Sequence, residues 1–350
     1  MHYFILTTRG LEDLAYDELQ QQISTVRVRE LAYRRVALAA DASSAPALLG
    51  LRCTDDAFIE VADWSQVGKF ASTLERLASL AATVDLAPAL ALCAELRPIA
   101  QPIRFAVSAS FVGRRNYTTP QIKQALASGV RQHYGWFYTD EEAPDALSLR
   151  LFIEHERALL GVRLGSHPLH RRPYKTQSVP GSLRAPVAAA MLRLAGVTAG
   201  TAMLDPLCGA GTIVIEAALL GAHSQGGDND ATALAAARAN LAASGARATL
   251  QQWDARALPL ETASVDCVAT NVPFGRQVLT AAELNALYTD CIAEIGRVLR
   301  TGGPAVLLSN QVDRLGAAIA HQSTLTIVAQ REISLYGQTP QIWVLKRSRK

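Results

Sequence analysis

The run Asp205-Pro206-Leu207-Cys208-Gly209-Ala210-Gly211-Thr212 carries the strongest chemical signal in the chain. It follows a short apolar stretch, TAML, and opens TIVIEAALLG, which is apolar at helical spacing. Two glycines at such a junction let the backbone turn tightly and approach a ligand closely, with a helix N-terminus behind them. A dinucleotide loop needs a third glycine three residues after the second, and that place holds Val214. A nucleotide-triphosphate loop needs a lysine after the glycines, and none follows. With Asp205 four residues ahead of Gly209, the loop suits a ligand carrying an ammonium group and a ribose but no phosphate.

Two further acids stand where such a ligand needs acceptors. Asp228, in GGDND, ends the next expected strand and suits a bidentate contact with ribose hydroxyls. Asp254, in QQWDARALP, ends the third and suits an exocyclic amine such as the adenine N6. Their neighbours Asn229 and Ala255, with Cys208 and Thr212 of the loop, complete the expected ligand contacts. Asp230 is the expected N-cap of the helix ATALAAARANL, which ends at Gly245. After the fourth strand comes Thr-Asn-Val-Pro-Phe-Gly, residues 270–275. A nucleobase amine is a poor nucleophile because its lone pair is delocalised into the ring, so alkylating it requires acceptors that orient it. The Asn271 side chain and the Val272 backbone carbonyl, held by Pro273, supply two, and Phe274 offers a stacking face for an extruded base. No cysteine lies between Asn271 and Gly275, which disfavours covalent attack on a pyrimidine; Cys208 reads as a packing residue.

These residues need a scaffold that brings strand ends together. From Thr201 onward, short apolar runs (TAML, ATLQQWD, VDCVATN, PAVLLSN) alternate with helical patterns, among them AELNALYTDCIAEIGRVLR. That alternation implies an α/β architecture with a mostly parallel sheet. LTIVAQREI and QIWVLKR, joined around YGQTP, read as an antiparallel hairpin at the sheet edge, and the second strand, AHSQGGD, is polar and glycine-rich. The first 165 residues read as two α+β modules: HYFILTT, a helix over LEDLAYDELQQQ, VRVREL and RRVALAA, then a helical connector, then IRFAVSASF, the helix TTPQIKQALASGVRQHYG, ALSLRLFIEH and RALLGVRLG. Trp136, Phe137 and Tyr138 are expected in the core of the second module. GSHPLHRRPYKTQSVPGS joins the halves as a polar, proline-punctuated linker containing His167 and His170.

Apolar residues make up 49% of 350 and charged residues 19%, which suits folded domains and excludes a disordered chain. No apolar run approaches the ~18 residues needed to cross a bilayer, and with MHYFILTTRG running straight into LEDLAYDEL no cleavable leader is expected. Five scattered cysteines without a CxxC pair argue against a disulfide framework or a structural zinc site. The expectation is a cytoplasmic monomer without membrane contact or metal. The net charge of +3 conceals an uneven distribution. Residues 96–139 hold 6 basic groups and no acid, and residues 157–204 hold 7 basic groups and no acid. Cations without local anions attract a polyanion.

DPLCGAGT, GGDND, WDARALP and NVPFG, in this order and spacing, resemble the motifs of class I S-adenosylmethionine-dependent methyltransferases, and the Asn-x-Pro-Phe form resembles that of enzymes acting on nucleobase amines. Val272 departs from the commoner proline, although only its backbone carbonyl is needed. HYFILTTRGLEDLAYDEL, FAVSASF with YTTPQIKQALASGV, and LLGVRLGSHPLHRRPYK resemble a ferredoxin-like module followed by a THUMP domain. The whole chain is thus similar to THUMP-containing tRNA guanine-N2-methyltransferases, which modify position six of the acceptor stem. The resemblance implies a Rossmann-like catalytic domain over 185–350, a ferredoxin-like module over 1–67, a helical connector and THUMP domain over 68–165, and a linker over 166–184. It implies S-adenosyl-L-methionine held by Asp205, Cys208, Gly209, Gly211, Thr212, Asp228, Asn229, Asp254, Ala255 and Asn271, with Asn271, Pro273 and Phe274 catalytic. RNA is the implied partner, gripped at the acceptor 3′ end, with Arg114, Arg115, Lys123, Arg171, Arg172 and Lys175 as the chosen phosphate contacts. Alternatives are a ribosomal-RNA guanine-N2 or DNA adenine-N6 methyltransferase, and a non-catalytic RNA-binding protein. Against the last stand Asp205, Asp228, Asp254 and Asn271, polar groups that a dead pocket would not need.

Overall fold

Short apolar segments bounded by charged turns build one mixed sheet from the first part of the chain. In the computed structural model, which describes residues 1–274 and 280–348, two compact units are present. The first comprises Met1–Thr7 with Tyr16–Leu169, and the second Thr8–Ala15 with His170–Lys350. Gly275, the last residue of the 270–275 turn, lies outside the described residues.

The first unit runs β1 (His2–Leu6), α1 (Glu12–Gln22), β2 (Arg27–Ala32), β3 (Arg35–Ala39), α2 (Ala45–Leu49), β4 (Asp56–Trp64), α3 (Thr73–Ala81), α4 (Ala87–Leu96), β5 (Arg104–Val112), α5 (Thr119–Tyr134), β6 (Phe137–Tyr138), β7 (Leu147–Glu154) and β8 (Arg157–Arg163), with the first turn of α1 counted in the second unit. One sheet of order β2-β3-β1-β4-β8-β7-β5-β6 takes in both expected α+β modules, joined where β4 pairs with β8. Strand β4 is absent from the sequence expectations. Its acids obscure the apolar alternation, and each is met by an arginine: Asp56 by Arg163 at 2.7 Å, Glu60 by Arg29 at 3.0 Å, Asp63 by Arg157 at 2.7 Å. The helix α5 has proline in its first turn, as its sequence requires, but its cap is Thr118, in a capping box with Gln121, and not the expected Thr119. The aromatic cluster after it corrects an expectation. Phe137 sits on the two-residue edge strand β6 and is 59% exposed, and Trp136 stacks on Tyr134 at 4.3 Å rather than entering the core.

The second unit continues with α6 (Ala185–Leu194), β9 (Ala202–Asp205), α7 (Thr212–Leu219), β10 (His223–Asp228), α8 (Ala231–Ser244), β11 (Thr249–Gln252), β12 (Cys267–Asn271), α9 (Ala281–Val298), β13 (Pro304–Ser309), α10 (Val312–Ala320), β14 (Leu325–Glu332) and β15 (Gln341–Arg347). The sheet order is β11-β10-β9-β12-β13-β15-β14, parallel from β11 to β13 and antiparallel at β15 and β14. This is the expected seven-stranded, Rossmann-like sheet with its terminal hairpin. Leu204, Val268 and Leu307 of the strands pack with Tyr288, Ile292 and Ile295 of α9 in the main core. The polar strand β10 is explained by space. A Cβ on Gly226 would lie 2.5 Å from the Val214 side chain, and one on Gly227 2.2 Å from the Trp253 ring. Residues Thr8–Ala15 join this unit through Arg331, which holds the Asp13 carboxylate and the Gly10 carbonyl. Among the described residues no helix is long and apolar enough to cross a membrane.

Candidate active site

Parallel pairing sets the positions of the motif residues. Asp205 lies level with Gly226, Asp228 with Gln252, and Leu204 with Val268, so the carboxyl ends of β11, β10, β9 and β12 fall along one edge of the sheet. Open α/β sheets bind ligands at that edge. The loop after β9 turns through Gly209 (φ +52°) and Gly211 (φ +79°), the latter capping α7 in the left-handed region that disfavours side chains. The loop is tied to the next strand: Cys208 N–H donates to the Gly227 carbonyl at 2.9 Å, and Gly209 N–H to Asp228 Oδ2 at 2.9 Å. Trp253 closes the corner, its indole N–H donating to the Pro206 carbonyl at 3.1 Å.

The three acids differ in what holds them. Asp205 is 1% exposed, accepts the Leu207 N–H at 3.2 Å, and has no cationic partner among the described residues. Burial pushes its carboxyl up to about 7, against the opposing pull of the Thr270 hydroxyl and the Leu207 amide. Asp228 accepts from Gly209 and, through Oδ1, from Asp230 N–H at 3.0 Å. A carboxylate offers about four lone-pair sites, so it retains acceptor capacity. Asp254, two residues beyond β11, is clamped by Arg256 through contacts of 2.6 to 3.0 Å, and those hydrogen bonds hold it below the usual carboxylate range. Asn229 and Ala255 flank these acids, the first exposed and the second buried. Asp230 caps α8 by accepting from Thr232 N–H at 2.8 Å, as expected. Cys208 is buried and its thiol pushed well up, chiefly by burial, which suits packing and not a nucleophile.

At the end of β12, Asn271 donates through Nδ2 to the Gly181 carbonyl at 3.3 Å, while its Oδ1 is buried without a hydrogen-bond partner among the described residues. A buried acceptor left unpaired costs about 1–3 kcal/mol unless a ligand meets it. Val272 N–H donates to the Leu308 carbonyl at 2.9 Å, and Pro273 and Phe274 are half-buried beside it. One edge thus carries a glycine loop, three carboxylates and an open amide acceptor. That donor set fits a ligand with an ammonium group, a ribose and an exocyclic amine.

The expected linker is partly built into this site. Glu216 of α7, fully buried, accepts from Tyr174 OH at 2.7 Å and from Arg172 at 3.1 Å. Asn240 of α8 donates to the carbonyls of Ala210, in the glycine loop, and Gln177, both at 3.0 Å, and accepts the Gln177 N–H at 2.8 Å. The sequence holds a faint signal for both: each is a polar residue in an otherwise apolar helical run, TIVIEAAL or ATALAAARANLAAS. The chosen phosphate contacts divide accordingly. Arg172 is paired internally, and Lys175 donates to the Leu183 carbonyl. Arg115 donates to the carbonyls of Val67, Gly68 and His155, beside the rings of Phe111 and Tyr117. These three side chains serve their own units. Arg114 and Arg171 are exposed, Lys123 is half-buried, and none of the three forms an ion pair among the described residues.

The fold and this edge define a Rossmann-like methyltransferase. Residues 172–338 match the family model described as RMKL-like, methyltransferase domain. A tRNA (guanine(6)-N2)-methyltransferase of Thermus thermophilus is 33% identical over 247 residues, covering 69% of this chain and 72% of that protein. The mouse tRNA (guanine(6)-N(2))-methyltransferase THUMP3 is 30% identical over 223 residues, 59% of this chain, which spans only 44% of that longer protein. The crystal structure of TrmN from Thermus thermophilus superposes with a TM-score of 0.79 at 27% identity, covering 99% of both chains. The chain belongs to the family of RNA methyltransferases that includes the tRNA guanine-N2-methyltransferases, and a cofactor of the S-adenosylmethionine type follows from that membership.

Proposed function

We propose that this enzyme transfers a methyl group from S-adenosyl-L-methionine to the exocyclic N2 of a guanosine in tRNA, at position six of the acceptor stem, acting as a monomer. The Oδ1 of Asn271 carries the reading: it is a buried acceptor without a partner among the described residues, next in sequence to the Val272 carbonyl at the carboxyl end of β12. Asp205, Gly209 and Gly211, with Cys208 and Thr212, hold the methionine end of the cofactor; Asp228 and Asn229 hold the ribose, and Asp254 and Ala255 the adenine. When bound, the cofactor supplies a sulfonium-activated methyl group. Asn271 Oδ1 and the Val272 carbonyl accept hydrogen bonds from the two N2–H groups, turning the nitrogen lone pair out of the ring plane. Positive charge developing on N2 during transfer would be stabilised by these two acceptors. Phe274 stacks on the extruded base. One N2 proton then leaves to solvent.

Residues 185–350 form the catalytic domain in this reading, 1–67 the ferredoxin-like module, 68–165 the connector and THUMP domain, and 166–184 the joint. Arg114, Lys123 and Arg171 contact phosphates, while Arg115, Arg172 and Lys175 hold the surfaces that present them. Incubation of the full chain with unmodified tRNA and labelled S-adenosylmethionine, followed by nucleoside mass spectrometry, should yield N2-methylguanosine confined to position six. Label in another nucleoside, or none in tRNA, overturns the assignment. Asn271→Ala should lower turnover by on the order of 10³-fold while leaving the cofactor dissociation constant within about threefold; undiminished turnover removes Asn271 from catalysis.

A further inference from the structure

The 271–274 turn is gripped from outside by side chains that no motif contains. Tyr288, on α9, lies against the Pro273 carbonyl with its hydroxyl at 2.9 Å and against Ser309 Oγ at 2.7 Å. Gln311, just past β13, donates through Nε2 to the Phe274 carbonyl at 3.1 Å, and its backbone N–H donates to Ser309 Oγ at 3.0 Å. The sense of each bond is forced. A carbonyl oxygen has no proton to give, so Tyr288 donates to Pro273. A phenol has one proton, so Ser309 donates to Tyr288. The result is a directed chain from Gln311 N–H through Ser309 and Tyr288 to the Pro273 carbonyl, in which each bond polarises the next.

Its placement is unusual for ordinary packing. Tyr288 is 1% exposed within the apolar core, and Ser309 is fully buried. Burying two hydroxyls is unfavourable unless they are paired, and a phenylalanine–alanine pair would fill such a site without that demand. Burial holds the Tyr288 phenol up to about 12, so it remains a donor throughout the neutral range. The geometry around Val272 shows what the chain controls. The Val272 N–H is fixed by the Leu308 carbonyl, the Pro273 ring restricts its own φ, and the Tyr288 hydroxyl fixes the direction of the next carbonyl. The peptide plane between Val272 and Pro273 is thereby held from both sides.

We propose that Tyr288, backed by Ser309 and assisted by Gln311, is a positioning residue that fixes the Val272 carbonyl in the direction of the substrate amine. It touches neither substrate nor cofactor. This inference rests on the reading that Asn271 and Val272 accept from that amine. Small misplacements of reacting groups are costly in rate, so Tyr288→Phe should lower kcat by about tenfold or more. The cofactor dissociation constant measured by calorimetry and the KM for tRNA should each stay within about threefold. Ser309→Ala leaves the Tyr288 proton free to reach Pro273 and should lower kcat less than Tyr288→Phe. Gln311→Glu replaces the amide donor by a carboxylate facing the Phe274 carbonyl at a half-buried site, and should reproduce the kcat loss even if Tyr288→Phe proves unfoldable. A lowered melting temperature with wild-type kcat in a folded Tyr288→Phe or in Gln311→Glu overturns the proposal, as does a kcat loss matched by equal loss of cofactor affinity. Asn271→Ala assayed alongside separates the levels. An active Asn271→Ala overturns the underlying reading, whereas an inactive one beside a fully active Tyr288→Phe overturns the positioning role alone.

Discussion

Asp56 in the first unit and Asp205 in the second are both buried carboxyl groups at the ends of strands, and burial pushes both upward, to about 6 and about 7. Their surroundings differ. Asp56 Oδ2 accepts from Arg163 Nε at 2.7 Å, and Arg163 continues to Glu142 at 2.8 Å and Ser148 at 2.8 Å, so the charges close on one another inside the unit. Asp205 accepts from the Leu207 amide and faces no cation among the described residues. A buried network whose charges are mutually paired holds a fold together; a buried acid without a counter-charge is a place prepared for a cationic ligand. The same contrast separates the cations, since Arg157 is paired with Glu30 and Asp63 while Arg171 is left outward.

The largest effect should come from opening the closed network. Arg163→Met leaves Asp56 and Glu142 facing each other without their cation, and about 3–5 kcal/mol of stability should be lost in guanidinium denaturation of the full chain. Cofactor binding should not move. A loss under about 1 kcal/mol would mean that the pairing contributes little and that the contrast between the two acids fails.

A smaller effect, of opposite character, is expected at Asp205. Its folded pKa, about 7, lies above the ordinary value near 3.9, so the folded unit binds the proton more tightly than the unfolded chain does. Stability from this group is therefore greatest at low pH and declines as pH rises from about 4 to about 7. A ligand ammonium favours the ionised form, which reverses the trend for binding: affinity should rise with pH and level off above about 7, with roughly a tenfold gain between pH 6 and pH 8. Asp205→Asn should flatten that profile and weaken binding at pH 8 by about ten- to a hundredfold while raising stability at that pH. A mutant that binds as tightly as the wild type, or a flat wild-type profile, places the ammonium elsewhere.

How far the sequence carried these distinctions depends on how local the cause is. The parallel sheet, the terminal hairpin, the α8 caps at Asp230 and Gly245 and the line of acids were all legible, because apolar runs, cap residues and glycine loops act within a few residues. Strand β4 was not, because Asp56, Glu60 and Asp63 look like surface residues until Arg163, Arg29 and Arg157 arrive from distant strands. Strand β10 is weakly marked in the sequence for the same reason: Gly226 and Gly227 weaken a strand in isolation and are required only by Val214 and Trp253. Composition alone read Phe137 as core, although hydrophobicity does not reveal that a strand lies at an edge. The acid-free charge runs identified the basic segments but could not sort them, since Glu216 meets Arg172 across 44 residues of sequence.

The weakest expected effect tests that sorting within a single dipeptide. Arg171 is exposed, whereas its neighbour Arg172 is bound to the buried Glu216. If phosphates are met only by the outward cations, Arg171→Gln should weaken tRNA binding by roughly threefold at low salt and reduce the slope of log K against log salt by about 0.7 to 0.9, with no change in melting temperature. Arg172→Gln should do the reverse, lowering the melting temperature because the buried Glu216 loses its cationic partner while the Tyr174 contact remains, and leaving the salt slope as it was. Filter binding across a salt series with thermal melts of both variants reads the two quantities separately. Equal slope losses for the two variants would show that Arg172 leaves Glu216 when RNA arrives, and the division between outward and internal cations would no longer describe the complex.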